Sequence, residues 1–271
     1  RFYYDRRRSW TFGAHLAKLE VPVHMAPLLQ KLPADARLFT SFNISSNVAY
    51  FCPRPDGRPR PVPVLTNTFA MPPAVMAENL RIVRGDFAAF QRFAARYHVG
   101  AVLIDCTEQH APLLRKILMA EAWEPAAMGI RHVLFVRRGM PPGLSQDRTF
   151  PAYRRWARQR HPWPAYALHK AALSWFYLSL NDRALRLAET ATHADPRYHE
   201  AWTLQAVCLQ QRALGQQAAG QHAAAVRTLR AARQRVDQAL RIAPHSALAQ
   251  EVRDKIAAAL PGGPAQVAPA R

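Results

Sequence analysis

The sequence predicts a small α/β open sheet followed by an all-α helical domain, and three observations carry that expectation. Up to residue 138, short apolar runs rich in β-branched and aromatic residues alternate with helical patterns. After Trp163 every segment reads as helix. Between the two stretches lie Gly139-Met140-Pro141-Pro142-Gly143 and the prolines Pro151 and Pro162, which is linker chemistry. The expected organisation is a leading segment at 1–13, the α/β domain at 14–138, a Pro- and Arg-rich linker at 139–162, the helical domain at 163–260 and a disordered tail at 261–271. With 271 residues, 49% of them hydrophobic, the chain can bury a core in each domain.

In the α/β part the expected elements follow from local pattern. Met25–Leu32 reads as a short helix, Arg37–Phe42 as a strand, and Pro63–Asn67 as a second strand after the Pro-rich turn at 53–61. Pro72–Arg84 and Asp86–Tyr97 read as helices, the latter with Asp86 as N-cap and Phe87, Phe90, Phe93, Ala94 and Tyr97 at core spacing. Val99–Ile104 is a continuous apolar run, the signature of a strand buried on both faces in a parallel sheet. The helix Pro112–Glu121 leads to strands Trp123–Met128 and His132–Arg137, joined by Gly129-Ile130-Arg131 as an antiparallel hairpin. The expected sheet is therefore mixed and mainly parallel, ending in a C-terminal antiparallel hairpin.

In the helical part Ala172, Ala184, Ala188 and Ala191 recur where two helices must approach closely, with Trp175 between them and Pro196 closing the unit. Trp202, Ala206 and Leu209 open a second unit that runs through Ala232, Val236 and Ala239 to Pro244. This pattern resembles tetratricopeptide repeats. The step from Pro196 to Pro244 exceeds the ~34-residue repeat by about fourteen residues, so both helices of the second unit are expected to be longer around Gly215–Gln221. Ser246–Leu260, with Leu248, Val252 and Ile256 on one stripe, reads as a closing helix.

Charge narrows the partners less than its size suggests. Thirty-seven basic and 18 acidic residues give a net charge of +19. Only Lys18, Lys31, Lys116, Lys170 and Lys255 are lysine, so the excess is arginine, which together with abundant alanine and proline is what GC-rich coding produces. The two halves of the chain carry nearly equal net charge, and no nucleic-acid reading motif accompanies it, so nucleic acid is not an expected partner. Cys52, Cys106 and Cys208 are too few and too scattered for a disulfide framework or a zinc site. No His-x-x-x-His pair, phosphate-binding loop or G-x-S-x-G motif occurs, so no metal, no cofactor and no catalytic residue is expected.

Two constellations stand out. Asn43, Asn67 and Asp105 end the three expected parallel strands at one edge, where open α/β sheets bind ligands, and form the candidate binding rim. Cys106, Glu108 and His110 lie beside Asp105, but with no oxyanion motif the expected role of Asp105 and Thr107 is to cap the next helix, with Cys106 a small apolar residue. In the helical domain Tyr166, His169, Leu173, Phe176 and Tyr177 share one face of the first helix. Since two repeats are fewer than a stable stack needs, that face is expected to dock on the first domain or a partner subunit rather than capture a peptide.

Val21-Pro22-Val23, Arg37-Leu38-Phe39 with Asn43 and Tyr50 downstream, Pro63-Val64-Leu65, Tyr97–Ile104, Leu114, Leu118, Trp123 and Val133–Arg137 follow a recognisable order. Over residues 10 to 138 the chain resembles the extracytoplasmic C-terminal domain of bacterial polytopic membrane glycosyltransferases. These are the lipid-phosphate-sugar-dependent mannosyltransferase and arabinosyltransferase-like proteins of the glycosyltransferase C superfamily, in which tetratricopeptide repeats sometimes follow. The chain departs from them at Ser45–Tyr50, where a Gly-Gly-Tyr-Leu stretch is frequent, and at Thr66-Asn67-Thr68, where an acidic residue and arginine are frequent.

The resemblance implies a larger parent in the bacterial inner membrane, with this region on the periplasmic side. The family's catalytic carboxylates lie in the membrane half, so none maps onto this chain, which is expected to be a non-catalytic accessory region whose partners are its own membrane domain and an acceptor. The other reading is a soluble tetratricopeptide adaptor that binds a protein or peptide in its helical groove. Arg6, Arg7, Arg8 and Trp10, beside Phe2, Tyr3 and Tyr4, fit a membrane-surface anchor after a transmembrane helix.

Overall fold

The apolar run that begins at Val99 becomes the inner strand of a four-stranded sheet. In the computed structural model, which describes residues 29, 32–33, 36–40, 72–129, 131–139 and 164–261, the chain divides into two units, Arg1–Phe150 and Pro151–Arg271. The first holds β1 (Arg37–Thr40), α1 (Pro73–Val83), α2 (Phe87–Arg96), β2 (Val99–Asp105), α3 (Ala111–Met119), β3 (Trp123–Met128) and β4 (His132–Arg137). The strand order is β1-β2-β4-β3. The predicted strand Pro63–Asn67 lies outside the described residues, and of the predicted helix Met25–Leu32 only Leu29 is described as helical.

The sheet is mixed, but among the described strands it is not mainly parallel. β1 pairs parallel to β2 with Phe39 opposite Val102, whereas β2 pairs antiparallel to β4, and β4 antiparallel to β3. Antiparallel pairs predominate among the described strands because the second hairpin strand inserts beside β2. Val133-Leu134-Phe135-Val136 is wholly buried, the mark of an inner strand, while β3 carries Pro125 at an irregular register and takes the edge.

Both sheet faces are covered. On one side Leu38, Ala101, Leu103, Leu134 and Val136 form a cluster with Leu29, Leu32 and Ala126. On the other, Phe39 meets the rings of Phe90 and Phe93 of α2 edge-on at 5.6 and 5.5 Å, and Phe90 lies 5.6 Å from Trp123. Asp86 caps α2 as predicted, its carboxylate accepting the Ala89 N–H at 2.9 Å. Gly85, at φ +102°, turns the chain from α1 into α2 against the first turn of α3. A Cβ there would lie 2.8 Å from Pro112 Cβ, and Lys116 Nζ donates to the Gly85 carbonyl at 2.8 Å.

Among the described residues the second unit holds only helices: α4 (Pro164–Tyr177), α5 (Asn181–Ala194), α6 (His199–Ala218), α7 (His222–Ile242) and α8 (Ala247–Ala259). Connections of three or four residues fold each helix back on its predecessor, and α6 also touches both α4 and α8. Ala172, Ala184, Ala188 and Ala191 are fully buried, which lets α4 and α5 approach closely. Ala206, Ala225, Leu229, Ala232, Val236 and Ala239 do the same for α6 and α7, with Val252 and Ile256 of α8 completing the cluster.

Between α5 and α6 the buried Gln205 donates from Nε2 to the Ala188 carbonyl at 3.1 Å and to Thr192 Oγ1 at 2.9 Å. Trp175 and Trp202 each carry an arginine from the following helix: Arg183 over Trp175 at 5.0 Å and Arg235 over Trp202 at 5.4 Å. The extra residues do lengthen the second pair. α6 and α7 have 20 and 21 residues against 14, 14 and 13 for α4, α5 and α8, so they extend about 9 Å further. No acidic residue occurs between Glu200 and Asp237, which makes this arm cationic.

Replacing Gly85 by Ala is expected to destabilise the first unit by about 2 kcal/mol, combining a left-handed backbone with the Pro112 contact. Urea unfolding followed through Trp123 fluorescence measures it.

Candidate functional site

β2 is apolar until its last residue, and the site begins there. Asp105 is buried at the carboxyl end of the strand, and a buried carboxylate needs a partner. The chain supplies one five residues on. The Cys106 N–H donates to the Arg131 carbonyl, which carries the β2–β4 ladder one step past the Asp105–His132 pair. Thr107 N–H then donates back to the Asp105 carbonyl at 3.1 Å, and His110 and Ala111 donate to the Thr107 carbonyl at 3.1 and 3.0 Å. These turns return His110 over Asp105, after which Pro112 opens α3.

The imidazole is fixed through one nitrogen. His110 Nδ1 lies 3.0 Å from an Asp105 carboxylate oxygen, 3.0 Å from the Asp105 carbonyl and 3.2 Å from Thr107 Oγ1. Two acceptors on Nδ1, the Asp105 carboxylate and carbonyl, place the proton there. Burial is the largest single influence on the ring and lowers its pKa. The hydrogen bond from Asp105, its charge and its carbonyl together outweigh burial and hold His110 above the ordinary 6.5.

Asp105, Thr107, Glu108, Gln109, His110 and Arg131 line an open cleft of about 490 Å³. The dyad inside it does not make a nucleophile pair. Thr107 Oγ1 sits on the nitrogen that faces Asp105, and Cys106 is buried and does not line the cleft. Glu108, Gln109 and Arg131 complete a lining in which every residue is polar.

Several expectations change here. Asp105 and Thr107 do not cap α3 with their side chains: the N-cap position is His110, with no side-chain cap bond, because both groups are turned onto the His110 ring. Asn43 and Asn67 lie outside the described residues, as do Arg6, Arg7, Arg8 and Trp10. Sequence reasoning missed Arg131 and Gln109. Arg131 was readable only once β4 stands beside β2, which brings the hairpin turn opposite the strand end.

In the second unit Tyr166, Leu173, Phe176 and Tyr177 are half-buried along α4, with the Phe176 and Tyr177 rings 6.1 Å apart and Lys170 over Tyr166 at 5.3 Å. His169 is buried, and its ring meets Tyr198 edge-on at 5.3 Å. Its Nδ1 has no hydrogen-bond partner. Burial, followed by the charges of Lys170 and His199, pulls its pKa down to about 3, so it is neutral. Burial likewise pushes the Cys208 thiol up to about 12, which leaves it protonated and inert.

Among the described residues no three His, Cys, Asp or Glu side chains form a metal site, and no helix is long and apolar enough to cross a membrane. No family model, curated protein or solved structure matches the chain.

Two of the buried histidines, His110 and His169, respond oppositely to pH. His110 binds its proton more tightly folded than unfolded, so its stabilisation is complete below pH 6.5 and is lost as pH rises through the folded pKa. A ring-proton NMR titration should place that midpoint above 6.5, and His110→Gln should flatten this part of the stability profile. His169 is the reverse: folded-state stability falls as pH drops from 6.5 toward about 3, by roughly 4 kcal/mol in all. His169→Leu should remove that fall in urea melts followed by helical circular dichroism.

Proposed function

We propose that this chain is the non-catalytic accessory region of a bacterial membrane glycosyltransferase, held on the periplasmic side. In this reading the α/β unit offers a polar seat to the acceptor, and the helical unit is a tetratricopeptide-like scaffold. The observation that carries the reading is the Asp105–His110 lock. It places a set of hydrogen-bonding groups at the carboxyl end of an inner strand, where such sheets bind ligands, yet commits the buried carboxylate to the histidine. That arrangement suits recognition, and the bond-breaking carboxylates belong to the membrane half that the resemblance implies.

The reading rests further on the order of sequence elements from Tyr97 to Arg137, each of which has its counterpart in a strand or helix of the first unit. The parent's own membrane domain is the partner it calls for, with the segment around Arg6–Arg8 at the membrane surface. A second reading, a soluble tetratricopeptide adaptor, is favoured by one observation: α6 touches α4 and α8 as well as its chain neighbours, the contact pattern of stacked helical pairs. The sequence preceding Arg1 discriminates them, since several long apolar helices with an acidic first extracytoplasmic loop belong to the first reading alone.

In the intact parent, the Glu108→Gln/Arg131→Gln pair is expected to raise the KM for acceptor about tenfold, or ~1.4 kcal/mol, with kcat unchanged. Steady-state transfer assays over a range of acceptor concentrations measure it. A fall in kcat with KM unaltered would instead give the cleft a part in the chemical step.

A further inference from the structure

The helices of the first unit present a surface of their own, apart from the cleft. α2 touches both α1 and α3, and the Arg96–Glu78 ion pair at 3.0 Å ties α2 to α1. Lys116 of α3 reaches the Gly85 carbonyl in the turn between them, so the three helices form one layer. Phe90 and Phe93 turn the inner side of α2 toward Phe39 of the sheet. The outer side carries Leu80, Arg81 and Arg84 of α1, Arg92 of α2, and Lys116 and Met119 of α3, all exposed.

The charge on this side is of one sign. Among the described residues no carboxylate pairs with the guanidinium of Arg81, Arg84 or Arg92, and Lys116 donates to a carbonyl, which leaves its charge in place. The two carboxylates between Pro73 and Arg96 are both engaged, Glu78 with Arg96 and Asp86 as the cap of α2, and α3 has none. Leu80 and Met119, two of the four large apolar side chains exposed among the described residues, stand among these cations. Leu80 directly precedes Arg81 and lies one turn before Arg84. Met119, 83% exposed, follows Lys116 on the outer stripe of α3.

We propose that the outer side of α1–α3 lies on an anionic lipid surface, with Arg81, Arg84, Arg92 and Lys116 at the level of the phosphates and Met119 and Leu80 entering the interface below them. The mixture of cations with unbranched or flexible apolar groups is what separates this partner from other polyanions. A nucleic acid calls for aromatic rings on which bases stack, and here Phe87 and Tyr97 are half-buried against Phe90 and Phe93, at 5.7 and 4.4 Å. An acidic protein has to match cations spread over three helices with carboxylates fixed in place, whereas lipids diffuse to wherever the cations stand. The proposal goes beyond the accessory reading and stands without it, since a chain with no membrane parent would dock on lipid in the same way.

The test is sedimentation of the whole chain with vesicles of three parts phosphatidylcholine to one of phosphatidylglycerol, and in parallel its binding to polyglutamate and to a single-stranded oligonucleotide. Every sample carries Arg6→Gln/Arg7→Gln/Arg8→Gln, so that the leading arginines do not act as a second anchor. Arg81→Gln/Arg84→Gln/Arg92→Gln should lower partitioning onto the vesicles about a hundredfold, at roughly fivefold per arginine. Met119→Ser should lower it about tenfold with no change of charge. Arg186→Gln/Arg227→Gln/Arg230→Gln, which removes the same charge from exposed positions of the other unit, should lower it less than about threefold. A control triple that falls as far as the first reduces the effect to net charge and overturns the proposal. So does Met119→Ser without effect, or a chain that leaves the vesicles and binds polyglutamate or the oligonucleotide through the same arginines. None of these outcomes bears on the accessory reading, which the transfer assays test separately.

Discussion

The burial of β2 on both faces is the constraint from which the first unit follows. A seven-residue strand with Phe39 and the α2 phenylalanines on one side and the Leu38 cluster on the other has no solvated face, so its polar groups can appear only at its ends. Asp105 is the first charged side chain the strand reaches, and it arrives still buried. Its partner has to come from nearby chain, because a carboxylate held there without one costs several kcal/mol. The tight turns of residues 106–110, the capture of His110 and the cleft beside Arg131 are local answers to that one requirement.

The helical unit solves a different problem with different means. Alanine at its helix contacts brings backbones close but contributes little apolar area per residue, and larger groups supply specificity. Gln205 ties two turns of α5 to α6 through its amide, and Trp175 and Trp202 are each covered by an arginine of the next helix. Part of the arginine excess that looks like genome composition in the sequence is therefore built into the packing. A lysine in either place would keep the charge and lose the planar face that stacks on the indole.

What could be read in the sequence was whatever depended on short-range pattern. Strands β3 and β4 fall on the expected residues because alternation, the Gly129 turn and the apolar run at Val133–Val136 are all local. The helix after Asp86 was legible from its cap and its phenylalanine spacing. Strand order was not legible, since pairing β4 with β2 is a long-range choice, though the unbroken burial of Val133–Val136 is its trace in the sequence. The Asp105–His110 contact was hidden for another reason: residues five apart meet only if the intervening turns are known, and an Asp before a helix reads first as a cap. The long second helical pair was legible because an interval between prolines counts residues whatever their conformation.

The protruding pair α6–α7 sets a limit on how copies of this unit can be assembled. A further helical pair stacked after α8 would meet helices of ordinary length and leave the longer α6 and α7 uncovered at their ends, as a spoke at this position. The pair carries Arg212, Arg227, Arg230, Arg233 and Arg235, of which Arg212 pairs with Asp182, Arg233 pairs with Asp237 and Arg235 lies over Trp202 near the start of α6, which leaves Arg227 and Arg230 nearest the projecting ends. Two chains approaching spoke to spoke meet like charge, and at low ionic strength that repulsion reaches tens of ångströms. Crowding at a surface would thus space these chains apart by their arms.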